Sequence, residues 1–281
     1  MQPDELEFLI QLLYKRSGLA LTTDKVYLLE SRLIPIARAN SCADLSALVK
    51  MLRNSPPEKL LVEITEAMTT NESSFFRDGK PFEQLKQIVL PAVRQSAGTR
   101  KTLRLWSCAC STGQEPYSVA ISLLEDAVKN PDWHYEIIAT DLAQKVLDKA
   151  KDGTYTQFEA QRGMPIQLLL KYFKSNPDTS WQIKPEVKNM VKFQVHNLLD
   201  NITPGGKFDI IFCRNVLIYF DEKTKATAIE RLCDALVPGG FLIIGSTESL
   251  TDQNRRLIQP EGLRGIYQIS NGQNASQRQT A

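Results

Sequence analysis

The spacing of apolar residues changes about a quarter of the way along the chain. Up to about residue 71, apolar side chains recur at intervals of three and four, as in DELEFLIQLLYKRSG, which predicts amphipathic helices. The first helix is expected to end at Gly18. We interpret residues 1–71 as an N-terminal unit of three or four helices, too small to be an enzyme by itself and suited to docking.

Capping and helix-breaking residues predict where these first helices start and stop. Thr22, Thr23 and Asp24 are candidate caps for the second helix, which Pro35 is expected to kink or divide. A later helix, within GKPFEQLKQIVLPAV, is expected to be closed by Pro91.

Beyond residue 100 the apolar residues fall into short runs that are typical of buried strands. These runs are KTLRLWSC, YEIIATD, VKFQVHNL, KFDIIFCRNV and GGFLIIGSTE. Helical segments lie between the first and second runs and between the last three runs. This alternation predicts an α/β fold with a parallel sheet. The sharp turn at residues 238–240 should lead into the last buried strand.

One segment breaks this alternation. Residues 151–185 are long for a connection, so we expect them to have their own structure within a catalytic domain that spans residues 72–270. The last residues, 271–281, are polar and are expected to be a disordered tail.

Composition and charge exclude several classes of protein. The 281 residues carry 34 basic and 32 acidic side chains, a net charge of +2, which gives no general attraction to nucleic acid or membrane. Five cysteines without CxxC spacing and only two histidines argue against a metal site and favour reduced core cysteines. Because we find no leader peptide and no apolar run of about 20 residues, we expect a cytoplasmic protein without membrane insertion.

Polar residues follow each predicted strand, where α/β sheets bind their ligands. They are residues 107–115, Asp141, Asn197, residues 214–215 and residues 246–248. Asp141 could accept hydrogen bonds from both hydroxyls of a ribose through its two oxygens.

The turn SCACSTGQEPYS is the most informative of these segments. It lacks both the GxGxxG pattern and the Gly-Lys-Ser/Thr of a phosphate loop, and it presents the carboxylate of Glu115 instead. A carboxylate at this place favours a ligand with positive charge or hydrogen-bond donors. S-adenosylmethionine therefore fits better than NAD.

Four separated motifs, MTTNESSFFRD, SCACSTGQEPYS, ATD and FDIIFCRNVLIYFD, together resemble a CheR-type chemotaxis receptor methyltransferase. The resemblance covers nearly the whole chain. It implies a Rossmann-like class I S-adenosylmethionine-dependent methyltransferase sheet, an N-terminal helical domain and a small inserted β subdomain. It also implies methylation of glutamate side chains on the cytoplasmic helices of methyl-accepting chemoreceptors.

The resemblance also implies the residues of the site. It implies cofactor contacts at Asn71, Ser73, Arg77, Glu115, Asp141, Asn197, Leu198, Arg214 and Asn215, and catalytic positions beside the transferring methyl group at Arg214 and Tyr219. Arg77 would pair with the methionine carboxylate, Glu115 with the ammonium and Asp141 with the ribose, while Asn197 and Leu198 would flank the adenine.

Each of these residues also has an ordinary structural interpretation. Arg77 could be an exposed charge, Tyr219 a half-buried aromatic residue, and Glu115 and Asp141 helix caps. Only their joint occurrence favours the site.

A glutamate substrate titrates near pKa ~4.3, so it needs no general base at neutral pH. Arg214 and Tyr219 are then expected to position the incoming carboxylate, and Arg214→Ala should reduce turnover more than cofactor affinity.

Fewer residues support a prediction of how the receptor substrate docks. A basic face on the helical unit would attract acidic receptor helices, and it could comprise Lys15, Arg16, Lys25, Arg32, Arg38, Lys50 and Arg53, although an ordinary solvated surface explains them equally well. Two features, one loop and one residue, depart from the family pattern. The loop KSNPDTS lacks the glycine with which some members bind a receptor's C-terminal tether peptide, which makes tether binding doubtful. Gln114 stands where the family more often has an acid.

Two other classes of function compete with this interpretation. A methyltransferase-like module could sense S-adenosylmethionine or S-adenosylhomocysteine, or serve as a scaffold of a signalling array, without turnover. An enzyme acting on nucleic acid or a small molecule is disfavoured, because the chain has near-neutral charge, no Asn-Pro-Pro-Tyr motif and no basic arm.

Overall fold

The computed structural model describes residues 1–22, 25–201, 203–250 and 254–270. Four helices form the first part: Pro3–Ser17 (α1), Val26–Ala39 (α2), Leu45–Arg53 (α3) and Glu58–Met68 (α4). They pack around one apolar core that includes Leu9, Leu33 and Ile64. The predicted end of α1 is confirmed, since Gly18 takes a left-handed conformation and its N–H caps the carbonyl of Tyr14.

Helix α2 was expected to be kinked or divided at Pro35, and division does not occur. The helix continues through Pro35 to Ala39 and is not divided. Leu33 and Ile36 on either side of the proline are buried, and this packing outweighs the loss of one backbone hydrogen bond. Of the predicted caps, Thr23 and Asp24 lie outside the described residues.

The helix after this unit also extends past its proline, so the prediction that Pro91 closes it is wrong. Lys80–Gln84 (α5) leads into a π-helical stretch at Leu85–Val89 and then into Leu90–Ser96 (α6). Pro91 therefore falls in the first turn of α6, where a proline is tolerated because its missing N–H is not needed.

Among the residues that the structure describes, ten strands follow: Thr102–Cys108 (β1), His134–Asp141 (β2), Thr154–Tyr155 (β3), Phe173–Ser175 (β4), Trp181–Ile183 (β5), Val191–Val195 (β6), Phe208–Cys213 (β7), Leu236–Ile244 (β8), Leu257–Ile258 (β9) and Ile266–Ile269 (β10). The helices between them are Gln114–Ala127 (α7), Gln144–Asp152 (α8), Gln157–Gln161 (α9), Ile166–Tyr172 (α10), Pro185–Lys188 (α11) and Glu222–Ala235 (α12).

Seven of these strands form the main sheet, in the order β6-β2-β1-β7-β8-β10-β9. The first five are parallel, whereas β10 runs antiparallel to both β8 and β9. Helix α7 packs on one face and α12 on the other, which confirms the predicted α/β class. The strand order reverses between β1 and β7, so a ligand is expected beyond the carboxyl ends of these two strands.

The segment after α8 has its own small sheet, as its length predicted. Strands β3, β5 and β4 pair antiparallel in that order, with α9 and α10 between β3 and β4. The loop that joins β4 to β5 closes without glycine. Thr179 takes the left-handed conformation, and the N–H of Asn176 donates to the carbonyl of Ser180.

All five cysteines are buried and none forms a disulfide, as predicted for core cysteines. Within the ranges that the structure describes, no helix combines the length and the apolar character needed to cross a membrane.

Candidate functional site

The chain bends sharply between β1 and α7, at the place where a ligand is expected. Ala109 and Ser111 both take left-handed conformations, which are strained for residues with a side chain. The N–H of Cys110 donates to the carbonyl of Thr140 and ties the bend to β2. At Gly113, which also has a positive φ, a Cβ atom would lie 2.8 Å from the Cβ of Ala150, so only glycine fits.

Glu115 lies in the first turn of α7, and its carboxylate has two partners. The hydroxyl of Ser107 donates to Oε1 across 2.8 Å, and Nη1 of Arg214 donates to Oε2 across 3.0 Å. Only 12% of the Glu115 side chain is exposed. Burial raises the pKa of Glu115, while Arg214 and Ser107 act in the opposite direction.

Arg214 follows β7 directly and is buried, with 1% of its side chain exposed. Its Nη2 donates to Oδ2 of Asp78 across 2.6 Å and to the carbonyl of Arg77 across 3.0 Å. The guanidinium carbon lies 5.8 Å from the ring centre of Phe82. Among the described residues, Nε of Arg214 has no hydrogen-bond partner although it is buried. One guanidinium thus bridges two carboxylates and keeps a donor unused.

Asp141 ends β2 on the neighbouring side of the bend. Its Oδ2 accepts from the N–H of Ser111 across 2.8 Å, and its Oδ1 accepts from the N–H of Ala143 across 3.0 Å. Because a carboxylate offers about four lone-pair sites, each oxygen can accept a further hydrogen bond. Burial raises the pKa of Asp141, and the backbone N–H groups lower it.

The loop between α4 and α5 forms another wall. The carbonyl of Asn71 accepts from the hydroxyl of Ser111 across 2.8 Å, which joins the loop to the bend. Nη1 of Arg77 donates to the carbonyl of Glu72 across 3.2 Å. Phe76 and Asp78 both take positive φ values, so this loop is strained as well.

The wall opposite this loop comes from the segment after β6, the turn after β7 and the end of α1. The side-chain amide of Asn197 donates to the carbonyl of Arg16 across 2.7 Å, and its oxygen accepts from the N–H of Leu199. The carbonyl of Tyr219 accepts from the N–H of Ala20 across 2.9 Å. The helical unit is therefore joined at two points to the segments that follow β6 and β7.

These walls enclose a cavity of about 220 Å³. Every site residue predicted from the sequence lines it: Asn71, Ser73, Arg77, Glu115, Asp141, Asn197, Leu198, Arg214, Asn215 and Tyr219. Their contacts with a cofactor stay predictions. Sequence reasoning missed Asp78 as the second carboxylate on Arg214, although Asp78 ends the quoted motif NESSFFRD.

Comparison with known protein families identifies the family to which this chain belongs. The family model described as CheR methyltransferase, SAM binding domain, matches residues 71–265. The model described as CheR methyltransferase, all-alpha domain, matches residues 4–69. The chain belongs to the CheR methyltransferase family. The resemblance inferred from the four motifs is therefore confirmed.

Curated relatives match this chain over most of their own length. Chemotaxis protein methyltransferase Cher2 of Pseudomonas putida is 40% identical over 242 residues, which cover 85% of this chain and 87% of the relative. Chemotaxis protein methyltransferase 1 of Pseudomonas aeruginosa is 39% identical, with 85% and 88% covered. The chemotaxis protein methyltransferase of Borreliella burgdorferi is 34% identical, with 92% of both chains covered.

This CheR-family chain is an S-adenosylmethionine-dependent methyltransferase of chemotaxis. The residues around the cavity fit that cofactor. The buried carboxylate of Glu115 suits an ammonium group, and the spare acceptor sites of Asp141 suit vicinal hydroxyls. The unused Nε donor of Arg214 is a further polar group at the same place.

Proposed function

We propose that this protein transfers the methyl group of S-adenosylmethionine to glutamate side chains on the cytoplasmic helices of methyl-accepting chemoreceptors, giving glutamyl methyl esters. The observation that carries the proposal is that Tyr219 lines the same cavity as the buried Glu115–Arg214 pair. The names of the relatives support the chemotactic role. We place this reaction in the cytoplasm, where the receptor helices lie.

The proposed cofactor contacts follow from the charges around the cavity. Glu115 would accept the ammonium group, and Arg77, a half-buried cation on the loop between α4 and α5, would pair with the carboxylate. Asp141 would hold the ribose hydroxyls. Since the side-chain amide of Asn197 is bound to Arg16 and Leu199, its part beside the adenine would come from its backbone together with Leu198.

S-adenosylmethionine supplies a methyl group that its positive sulfur makes electrophilic. A glutamate of the receptor is ionised at neutral pH because its ordinary pKa is ~4.3, so this chain need not remove a proton. The task of the protein is to hold the reacting carboxylate in line and to exclude water. Tyr219, half-buried at the cavity, would donate its hydroxyl to that carboxylate.

Arg214 would act mainly through the groups that it holds. Its two terminal nitrogens are engaged by Glu115, Asp78 and the carbonyl of Arg77, so it fixes the carboxylate that would receive the ammonium group. Its positive charge would also lie close to the reacting centre. This charge would attract the incoming carboxylate without binding it so tightly that its nucleophilicity is lost.

Some of the basic residues that the sequence suggested for receptor docking have partners within this chain. Arg16 pairs with Glu58, and Arg53 pairs with Asp4. Arg32 donates to the carbonyls of residues 67–69 at the end of α4. We therefore propose that docking rests on Lys15, Arg38 and Lys50 and on the edge of the cavity. Tether-peptide binding is not part of the proposal, because the loop at residues 176–180 closes on itself without the family's glycine.

The test is to incubate the purified protein with methyl-labelled S-adenosylmethionine and a cytoplasmic chemoreceptor fragment. Label released as volatile methanol by mild alkali is expected, because esters are base-labile. A receptor fragment with its modified glutamates changed to alanine should take up none. If the protein binds S-adenosylhomocysteine but labels no receptor fragment, the sensor or scaffold alternative replaces this proposal.

A further inference from the structure

The turn after β7 is held by a carboxylate from a different part of the chain. Oε2 of Glu248 accepts from the N–H of Asn215 across 2.8 Å and from the N–H of Gly245 across 2.7 Å. Its Oε1 accepts from the N–H of Ile218 across 3.3 Å. The Glu248 residue is 8% exposed, and it is not among the described residues that line the cavity.

These contacts matter because of what the turn contains. Arg214 and Tyr219 flank it, and between them Asn215 takes the left-handed conformation. Such a conformation is unfavourable for a residue with a side chain and persists only where its surroundings hold it. Glu248 supplies that enforcement, since it binds backbone N–H groups at both ends of the turn.

The end of β8 is shaped for this contact. A Cβ atom on Gly245 would lie 2.7 Å from Oε2 of Glu248 and 3.1 Å from the backbone nitrogen of Asn215. Gly245 therefore leaves the space in which the carboxylate reaches the turn. A shorter acid at position 248 would not span the same three donors.

We propose that Glu248 is a positioning residue for methyl transfer. It fixes the backbone from Asn215 to Ile218 and thereby sets the place of the Tyr219 hydroxyl relative to Arg214. This inference rests on the proposed function, because it assigns Tyr219 a role in that reaction. Glu248 would act through this turn and not by contact with substrate or cofactor, since it does not line the described cavity.

The decisive variant is Glu248→Gln. The glutamine oxygen can keep the hydrogen bonds to Asn215 and Gly245, but its NH₂ group then meets the N–H of Ile218, donor against donor. The damage is thus directed at the residue next to Tyr219. We expect kcat to fall about tenfold, while the affinity for S-adenosylhomocysteine changes less than about threefold.

Asp209→Asn is the matched control. Asp209 is also a buried carboxylate that accepts a backbone N–H, from Arg104 across 2.8 Å. It pairs with Arg100 as well, and it lies at the opposite end of β7. The control should lose stability and retain kcat. Equal kcat values for Glu248→Gln, Asp209→Asn and wild type would overturn the inference.

Gly245→Ala tests the same contact with the charge of Glu248 retained. Because the new methyl group displaces the carboxylate, this variant should also lose kcat, and unchanged kcat would argue against the inference even if Glu248→Gln failed to fold.

Hydrogen exchange gives a readout that needs no methyl transfer. The peptide that contains Asn215 and Ile218 should exchange faster in Glu248→Gln and not in Asp209→Asn. If wild type labels no receptor but this difference appears, the proposed function fails and the anchoring by Glu248 stands. If wild type and Glu248→Gln label a receptor equally well, the inference fails and the function stands.

Discussion

Nη1 of Arg214 and Oε2 of Glu115 lie 3.0 Å apart, and this contact joins the end of β7 to the start of α7 across the point where the strand order reverses. The same guanidinium also holds Asp78, which belongs to the loop between α4 and α5. One buried cation thus organises three separate segments around the cavity. An ammonium group that reached Glu115 would interact with the same negative charge that Arg214 neutralises in this structure.

Arg214→Ala should reduce turnover far more than cofactor affinity. Removing one partner of a buried ion pair costs about 3–5 kcal/mol, since the remaining carboxylate of Glu115 loses its counterion. A bound ammonium group restores that counterion. We therefore expect a lower melting temperature without ligand, a smaller difference with S-adenosylhomocysteine, and a large loss of kcat. Calorimetric binding and methyl-transfer assays measure these quantities.

Arg256→Ala is the control for this experiment, because Arg256 is 41% exposed and, among the described residues, forms ion pairs with the exposed acids Glu230 and Asp234. An exposed pair contributes about 1 kcal/mol or less, so stability and turnover should stay near wild type. A large loss of cofactor binding in Arg214→Ala, with turnover retained on saturation, would contradict the role given to Arg214.

Cofactor affinity should decrease as the pH falls through the pKa of Glu115. Burial raises this pKa above its ordinary value of about 4.3, and the ammonium group requires the ionised form. Titrations with S-adenosylhomocysteine from about pH 5 to about pH 8 measure the effect. Glu115→Gln should bind weakly with a flatter pH dependence. An unchanged slope in this variant would assign the titration to another group, such as Asp141.

The raised pKa of Glu115 has the opposite pH dependence for the stability of the protein: as the pH rises, stability falls while cofactor affinity increases. A carboxyl group whose pKa is raised on folding stabilises the folded state below its unfolded pKa, and this contribution is lost as the pH rises through the folded pKa. Without ligand, the unfolding free energy of wild type should therefore fall relative to Glu115→Gln over that window. Denaturant unfolding at several pH values tests this comparison.

Tyr219→Phe removes only the hydroxyl that we assign to the incoming carboxylate. A hydrogen bond to a charged group contributes about 1.5–3 kcal/mol, so kcat should fall roughly 10- to 100-fold. Affinity for S-adenosylhomocysteine should be unchanged. Tyr27→Phe is the control, since Tyr27 is 64% exposed on α2. If Tyr219→Phe raised only the KM for the receptor, the hydroxyl would belong to docking and not to transfer.

The sequence predicted those parts of the site that depend on strand order. Glu115 and Asp141 come shortly after apolar strands, and the carboxyl ends of β1 and β2 must meet at one edge because the strands are parallel. The bridge from Arg214 to Asp78 could not be predicted in this way. It depends on a loop in which Phe76 and Asp78 take left-handed conformations, and residue spacing carries no signal for such a path.

Tertiary packing also explains the errors at the prolines. Local rules end a helix at Pro35, but buried Leu33 and Ile36 hold α2 together across it. Before Pro91, a π-helical stretch changes the spacing of the backbone, so the proline enters a first turn. Neither effect can be read from the neighbouring residues alone.

The bend that presents Glu115 depends on the absence of a side chain at Gly113. Alanine variants of two glycines, Gly113 and Gly98, distinguish a steric clash from backbone strain alone. Gly113→Ala would place a methyl group 2.8 Å from the Cβ of Ala150 and 3.1 Å from the hydroxyl of Tyr155, on a backbone with positive φ. Gly98→Ala has a similar left-handed backbone, with no atom of the described residues within 4 Å of the new methyl group. Gly98→Ala should lower the unfolding free energy by about 1–2 kcal/mol, the strain of the left-handed conformation alone.

Gly113→Ala should lower the unfolding free energy clearly more. It should also weaken S-adenosylhomocysteine binding, because the bend must move away from α8. Equal losses of stability in the two variants, with cofactor affinity retained in both, would show that the bend tolerates a side chain and that its position does not depend on this close approach.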